Sequence, residues 1–447
     1  MRGKISQALA CCGACLLYCM LAGCTAYHPQ PLPAAPDLSR TPALTIPAKQ
    51  FLLPGLSPHP VSSRGLDATT AVLLAVCNDP DLKAARLQAG VARAQVLQAG
   101  LLPNPQFGAG FAQSARNYGG ALSLSEDLQA WLTRGTQKAI ASANQQQVHL
   151  NILWQEWQVA AQASQLFIQA RSSKQLQAVL RAQERLLADR ALADEKAMQQ
   201  GNQTATVVSS DLRQLSTVQQ KLHQLALNAM QTNHQLHALL GLEPGVRLHL
   251  VGSAAQPVIS AAQFHAAIAD LPQRRADLLA LQAGYRSQEE ALRRAILMQF
   301  PALSAGVDLE RDPVEGVNDF GPQVSLELPI FNHNQGEIAI QKATRAVMRQ
   351  TYQARLDAAV SQAHEVWRES LVLAAQLQDV ENQLPALKQR AGAARRSMEQ
   401  NNLDAAAYTA MEMDYLAQKE QAIQLRASLE SSRYALRILL GLPLAAR

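Results

Sequence analysis

Aromatic residues are scarce in this chain: they make up 4% of its 447 residues, although 48% are hydrophobic. A core with so few rings has to be assembled from Leu and Ala, which favours long helices packed through small side chains over a bulky globular interior. A dominant charge is missing too. The formal net charge is +5, basic residues are interspersed with acids, and no basic patch or interleaved aromatic row occurs. This excludes a nucleic-acid footprint. There is no phosphate-cradling Gly loop, no nucleophile elbow, no zincin motif and no Cys pair, so the chain does not read as an enzyme and no cofactor is expected. Of 6 cysteines, Cys11, Cys12, Cys15, Cys19 and Cys24 lie at the N-terminus and Cys77 alone remains, so no intrachain disulfide is available to the body of the protein. Cys77 reads as a small buried residue.

The N-terminus has a basic start (Arg2, Lys4), an uncharged apolar run from Ile5 to Met20, and "LAGC" at 21–24. This is the order of a secretory signal peptide. Leu-Ala-Gly-Cys resembles the bacterial lipobox, in which the Cys is acylated and becomes the first mature residue. The alternative is a short membrane anchor, for which the run is marginal in length. On the lipobox reading residues 1–23 are removed and Cys24 holds the chain to a membrane, each buried methylene contributing about 0.8 kcal/mol. Thr25 stands where inner-membrane retention would require Asp, so the resemblance implies the outer membrane. Residues 24–64 form a Pro-rich, poorly periodic tether ("HPQPLPAAPDL", "FLLPGLSPHP") expected to run extended.

After the tether the chain is written twice, as repeats over 65–250 and 251–447. "DLKAARLQAGVARAQVLQAGLLPNPQFGAG" (81–110) aligns without a gap to "DLLALQAGYRSQEEALRRAILMQFPALSAG" (277–306), pairing Asp81 with Asp277, Pro105 with Pro301 and Gly110 with Gly306. "MQQGNQTA" (198–205) matches "MEQNNLDA" (398–405), and "LLGL" at 239–242 returns at 439–442. Each half predicts a helix (about 67–99 and 260–298, broken near "NDPD" and "LPQR"), then two short strands, then two long helices (about 136–200 and 203–241; 335–400 and 403–441). Leu373, Leu377, Val380, Leu384, Leu387, Ala391, Ala394 and Met398 step by four and three, as do Val218, Leu222, Leu225, Ala229, Thr232, Leu236 and Leu239. This is a coiled-coil seam, and Pro385 is expected to kink it. The fold class is therefore mainly α with a small β part.

The four strands are "NPQFGAGFAQSA", "ALSLSEDL", "ALSAGVDLERD" and "GPQVSLELPIF". Their lengths match membrane-spanning strands, but four strands cannot close a barrel and an open edge is not tolerated in lipid. Either they stay out of the membrane or several chains pool them. Three chains would supply twelve strands around a lumen, continued by a helical tube.

With "AGLLPNPQ" before the first hairpin and "LPIFNHNQGEIA" after the second, the repeated architecture resembles the TolC family of outer-membrane efflux proteins. "NPDLKAAR", "AGLLPNP" and the "LPIFN…GEIA" stretch are most similar to the lipidated outer-membrane subunits of cobalt–zinc–cadmium (CzcC-type) efflux systems. The resemblance implies a homotrimer forming a 12-stranded barrel and a periplasmic α-helical tunnel, joined through a periplasmic adaptor to an inner-membrane pump of the resistance–nodulation–division (RND) class. It implies a passive duct, for heavy-metal cations or for organic compounds. A lipid-anchored coiled-coil scaffold carrying no solute is the reading from another class, and the two hairpins argue against it.

Gly241 and Gly441 read as helix-stop residues. Gly201–Asn202 and Asn401–Asn402 read as the tips of the helical hairpins. With Gln200, Thr204, Gln400 and Asp404 they are candidate adaptor-docking residues, or plain exposed turns. Asp404, Tyr408, Glu412 and Asp414, beside Tyr415, are candidates for an acidic constriction suited to cations, or a solvated helix face. His234 and His237 share a face with His223 upstream, but no Cys or carboxylate joins them at ligand spacing, and no metal site is assigned.

Overall fold

The computed structural model describes residues 27–40, 65–113, 118–311, 314–315 and 317–444. The chain divides at Leu38 into two units. Residues 27–38 of the first unit are exposed and form no helix or strand. Cys24 lies outside the described residues.

The second unit contains the repeats. Helix α1 (Ala68–Asn78) is capped by Asp67, whose Oδ1 accepts the Thr70 N–H at 2.7 Å. The break expected at "NDPD" is Asp79: it ends α1 and caps α2 (Pro80–Gly100), accepting the Leu82 N–H at 2.8 Å, while Pro80 occupies the first turn, where a missing N–H costs nothing. Strands β1 (Gln106–Gln113) and β2 (Tyr118–Asp127) lead into α3 (Leu128–Gln199) and α4 (Ala205–Leu239). Helix α3 starts at Leu128, earlier than the sequence suggested, because Asp127 closes β2 and caps the helix through Gln129 N at 2.8 Å. Its 72 residues extend about 108 Å at 1.5 Å per residue.

The second repeat follows the same order. It comprises α5 (Ala261–Ala269), α6 (Leu271–Arg274), α7 (Ala276–Leu297), β3 (Leu303–Arg311), β4 (Asn318–Leu326), α8 (Gln335–Glu399) and α9 (Ala405–Leu439). Ser260 and Gln263 form a reciprocal capping box on α5. Helix α8 runs through Pro385, in keeping with the single helix expected over 335–400. Leu377, Val380 and Leu384 remain packed on Ala422 and Leu429 of α9, and tertiary packing of this kind outweighs one lost helical hydrogen bond.

Helix α3 packs against α2, α4, α7 and α9, so the repeats interlock. The main core joins α1 to Trp157 and Phe167 of α3 and to Leu236 and Leu240 of α4. The matching core of the second repeat uses Leu436 and Leu440, and Phe264 stacks on Trp367 there at 4.4 Å and 10°. An ion cluster ties α3, α7 and α8 together. Arg275 is 1% exposed and grips Asp277 through Nε at 2.9 Å and Nη2 at 2.7 Å. Arg355 Nε reaches the same carboxylate at 2.7 Å, and both guanidiniums lie over Trp154, at 5.0 and 5.8 Å. Burial pushes the Asp277 carboxyl up, but the two guanidiniums outweigh it and hold it below the ordinary range. Cys77 is only half-buried, yet burial raises its thiol to about 11.

All four long-helix reversals and ends close the same way. After α4 the Gly241 N–H bonds Ala238 O and the Leu242 N–H bonds His237 O. After α9 Gly441 and Leu442 bond Ile438 O and Arg437 O. Both glycines are left-handed, at φ 65° and 61°. The repeat adds a second reason for Gly: a Cβ on Gly241 would lie 3.2 Å from Asn78 Cβ, and one on Gly441 would lie 3.1 Å from Arg274 Cβ, at the equivalent place in the second half.

Gly241→Ala is expected to destabilise the protein by about 1–3 kcal/mol, read by thermal melting. Gly90→Ala, on an open helix position, should stabilise it by about 1 kcal/mol. Asp277→Asn leaves Arg275 buried without its counter-charge and should cost about 3–5 kcal/mol at pH 7. A depressed folded pKa contributes stability above about pH 4 that is lost as pH falls through the folded value. Parent and Asp277→Asn melting temperatures should therefore converge on acidification.

Candidate functional site

The four strands form one antiparallel sheet in the order β1-β2-β3-β4. Register partners share a face, and the two faces differ sharply. Phe107 pairs with Leu124, Leu124 with Val307, Leu122 with Leu309, Leu309 with Phe320, and Leu303 with Leu326. This face is apolar and open, with Phe111 92% and Phe320 73% exposed in the single chain. The opposite face carries Gly108, Gly110, Ser123, Ser125, Ser304 and Gln323, together with Asp127, Asp308, Glu310 and Asp319. No Lys or Arg lies on it within the paired segments. Glu310 and Asp319 are direct cross-strand partners, a like-charge arrangement that weakens a sheet.

Where the strands meet the helices, the apolar surface ends in a band of Leu101, Trp131, Leu132, Phe300, Leu328 and Phe331, all more than half exposed. Trp131 Nε1–H donates to Glu126 Oε1 at 3.1 Å, so the ring has an apolar body and a satisfied polar edge. Such girdles mark membrane–water interfaces. Among the described residues β1 and β4 each pair on one side only. No described helix is long and apolar enough to cross a membrane.

At the far end of the long helices the two hairpin tips are near copies. Gly201 (φ 77°) and Asn401 (φ 60°) adopt the left-handed conformation. Asn202 N–H bonds Ala197 O and Asn402 N–H bonds Ser397 O, both at 2.8 Å. Gln200, Gly201, Asn202, Thr204, Gln400, Asn401, Asn402 and Asp404 are all exposed. Asp404 caps α9, its Oδ1 accepting the Ala407 N–H at 2.6 Å, whereas Thr204 makes no side-chain cap.

The constriction candidates do not form one constellation. Asp404, Tyr408 and Glu412 follow one another every fourth residue along one face of α9. Asp414 is two residues beyond Glu412 and so points to the other side. Tyr408 and Glu412 are half-buried and Asp414 is exposed. Burial, then the Glu412 carboxylate, raise the Tyr408 phenol. Tyr415 packs with Val179 and Leu416 and has Lys419 Nζ 5.9 Å over its ring.

A polar cluster beneath the first tip was not anticipated. Arg190 Nη2 meets Asp211 Oδ1 at 3.2 Å, its Nε meets Asp194 Oδ2 at 3.4 Å, and Gln203 Nε2 donates to Asp194 Oδ1 at 3.3 Å. Asp211 is 1% exposed. Burial, then its hydrogen bond with Asp194, push Asp211 up, and the same bond holds Asp194 down. The available signal was an acid on the seam that runs back from Val218. The second repeat has Ala394 and Met411 in the matching places.

The histidines do not converge. His223 and His234 are exposed, while the His237 ring bridges Asn233 O (2.5 Å) and Val246 O (2.6 Å) as a fastening of the helix end. Among the described residues no three His, Cys, Asp or Glu side chains gather as a metal site.

Asp404→Ala should cost about 1 kcal/mol of local stability at the start of α9, seen as roughly fivefold faster amide exchange at Ala407, whereas Asp404→Asn, itself a good cap, should leave exchange unchanged.

No protein-family model and no curated protein matches the sequence. Solved structures match over nearly its whole length. CusC, studied for the conformational changes accompanying folding and transmembrane channel formation, aligns with a TM-score of 0.67 at 15% identity, covering 92% of this chain and 99% of CusC. The CmeC outer-membrane channel of Campylobacter jejuni aligns with a TM-score of 0.68 at 13% identity, over 94% of this chain and 95% of CmeC. The open-state MtrE outer-membrane channel of Neisseria gonorrhoeae gives 0.66 at 13% identity, over 94% and 98%. At such identities the likeness is one of architecture: this chain has the fold of solved outer-membrane channels.

Proposed function

We propose that this protein is the outer-membrane subunit of a tripartite efflux system of the TolC family, a passive duct of three copies. The observation that carries the reading is the sheet: apolar on one face, polar on the other, open at both edges, and continuous with helices on the order of 100 Å long. Three such sheets pooled edge to edge make a 12-stranded barrel with its apolar face to lipid and its polar face to a lumen. The girdle then lies at the periplasmic surface of the outer membrane, and Cys24, acylated, anchors the N-terminus to lipid.

The hairpin tips, from Gln200 to Thr204 and from Gln400 to Asp404, are the surface for a periplasmic adaptor, which connects the duct to an inner-membrane RND pump. Their exposure and matched geometry in both repeats support this, since a trimer would present six nearly equivalent tips. The cargo proposed is heavy-metal cations. It is supported by the similarity to CzcC-type subunits and by a lumen-side sheet face on which every charged residue is an acid. Asp404, Tyr408 and Glu412 are proposed to narrow the periplasmic mouth, with Asp414 outside that ring.

Deleting the gene is the first test. Cellular zinc, cobalt or cadmium should rise while dye and antibiotic retention stay normal. Raised dye or drug with normal metal would keep the duct and remove the metal assignment. No change in either, with no heat-modifiable trimer band in outer-membrane extracts, would favour a non-conducting scaffold. In planar bilayers the protein should form cation-selective pores, and the pair Glu310→Gln with Asp319→Asn should move the reversal potential toward zero. An unchanged single-channel conductance in Asp404→Asn would remove Asp404 from the constriction.

A further inference from the structure

A groove of about 570 Å³ opens between α7 and α8, lined by Gln282, Tyr285, Arg286, Arg349 and Tyr352. Both of its ends are fixed. Toward the start of α7, Arg355 Nε holds Asp277 Oδ2 at 2.7 Å; further along, Gln288 Nε2 donates to Gln341 O at 3.1 Å. Gln282 braces the stretch between them, its Nε2 donating to Pro272 O at 2.8 Å and to the Tyr352 hydroxyl oxygen at 3.1 Å. The walls are therefore set before any ligand arrives, and a preformed site avoids much of the ordering cost of binding.

The first repeat is written differently at the equivalent place. Carried along α2 and α3 at the repeat offsets, the five lining residues correspond to Arg86, Ala89, Gly90, His149 and Ile152. Arg86 is tied to Glu156 Oε1 at 2.8 Å and to Val76 O at 2.7 Å, and Ile152 is buried. The second repeat thus gains two arginines and two tyrosines at one spot. Their charge is not cancelled locally. Arg286 Nη2 donates to the neutral Gln146 Oε1 at 3.0 Å, and among the described residues neither Arg286 nor Arg349 pairs with a carboxylate. The acids beside them are engaged elsewhere: Glu290 Oε1 accepts from Arg293 Nη1 at 2.9 Å, and Glu289 Oε2 lies 3.5 Å from Arg345 Nη1.

We propose that this groove binds a small aromatic carboxylate. The Arg286 and Arg349 guanidiniums, each a planar forked donor, hold the anionic group, and the ring lies against Tyr285 and Tyr352. The Tyr352 hydroxyl oxygen already accepts from Gln282, which leaves its proton to donate to the same carboxylate. Volume selects against a bare inorganic anion, which would leave most of the groove to water, whereas cavities of about 300–1,000 Å³ suit small organic ligands. All five lining residues belong to one chain, so the site requires neither a trimer nor any particular cargo. A bound acid adds a further tie between α7 and α8.

The probe is 2-naphthoate, titrated by calorimetry into the purified full-length protein beside its uncharged analogue 2-naphthamide. One molecule per chain should bind with a dissociation constant under about 1 mM, and the amide should bind about tenfold more weakly or worse. Arg286→Gln and Arg349→Gln, both at exposed positions, should each weaken naphthoate about tenfold without moving the melting temperature of the ligand-free protein. Arg93→Gln, on the exposed side of α2, should change nothing. Tyr352→Leu should reduce the preference for naphthoate over cyclohexanecarboxylate. Equal binding of acid and amide would overturn the proposal, because it would mark apolar partitioning alone. So would naphthoate binding untouched by both arginine variants, displacement by inorganic phosphate at equal concentration, or no binding at all. The trimer is read separately, by native mass, so the site and the duct can fail independently.

Discussion

A sheet edge is a row of backbone donors and acceptors that must be satisfied by something, and in lipid water is not available to do it. On the proposed outer-membrane reading, this constraint organises the protein. Strands β1 and β4 are the edges of a sheet whose apolar face offers large side chains that are exposed among the described residues. Left alone, such a sheet would be an aggregation surface. The proposed trimer removes both problems at once, by pairing edge to edge and turning the apolar face to lipid. The helices follow from it, because a tube that continues a barrel needs walls of uniform thickness, and small residues along the seams let helices approach closely.

Internal duplication is the device that makes those walls uniform. The equivalence is physical as well as textual: Leu236 and Leu436, Leu240 and Leu440, and the Gly241–Asn78 and Gly441–Arg274 contacts occupy matching places. Each glycine is required twice over, by a left-handed backbone and by the helix end pressed against it. Helix α3 then breaks the symmetry by packing on elements of both repeats, and the Arg275–Asp277–Arg355 cluster over Trp154 holds that junction. A buried charge cluster of this kind contributes little net stability over an apolar one, but it tolerates no partial loss.

The departures from duplication carry the most specific chemistry. The Glu243 N–H bonds Ser39 O, whereas Pro443, at the matching place in the second repeat, has no N–H to offer. Asp211 and Asp194, with Ala394 and Met411 as their counterparts, place a polar knot beneath one tip and not the other. In the proposed duct of near-identical hairpins, such differences would distinguish one hairpin from its neighbour.

Much of this was legible in the sequence because it depends on local rules. Period-seven spacing marks the seams, Gly after an apolar turn marks the helix ends, Asp and Pro at "NDPD" mark a break with its cap, and alternation marks the strands. These are properties of neighbours along the chain. The early start of α3 escaped because Asp127 serves a strand and a helix together. Tertiary structure alone decided which acids share the sheet face and that Ser39 meets Leu242 across two hundred residues. Each depends on register or on the meeting of distant segments, and such contacts leave no periodic trace in a single sequence.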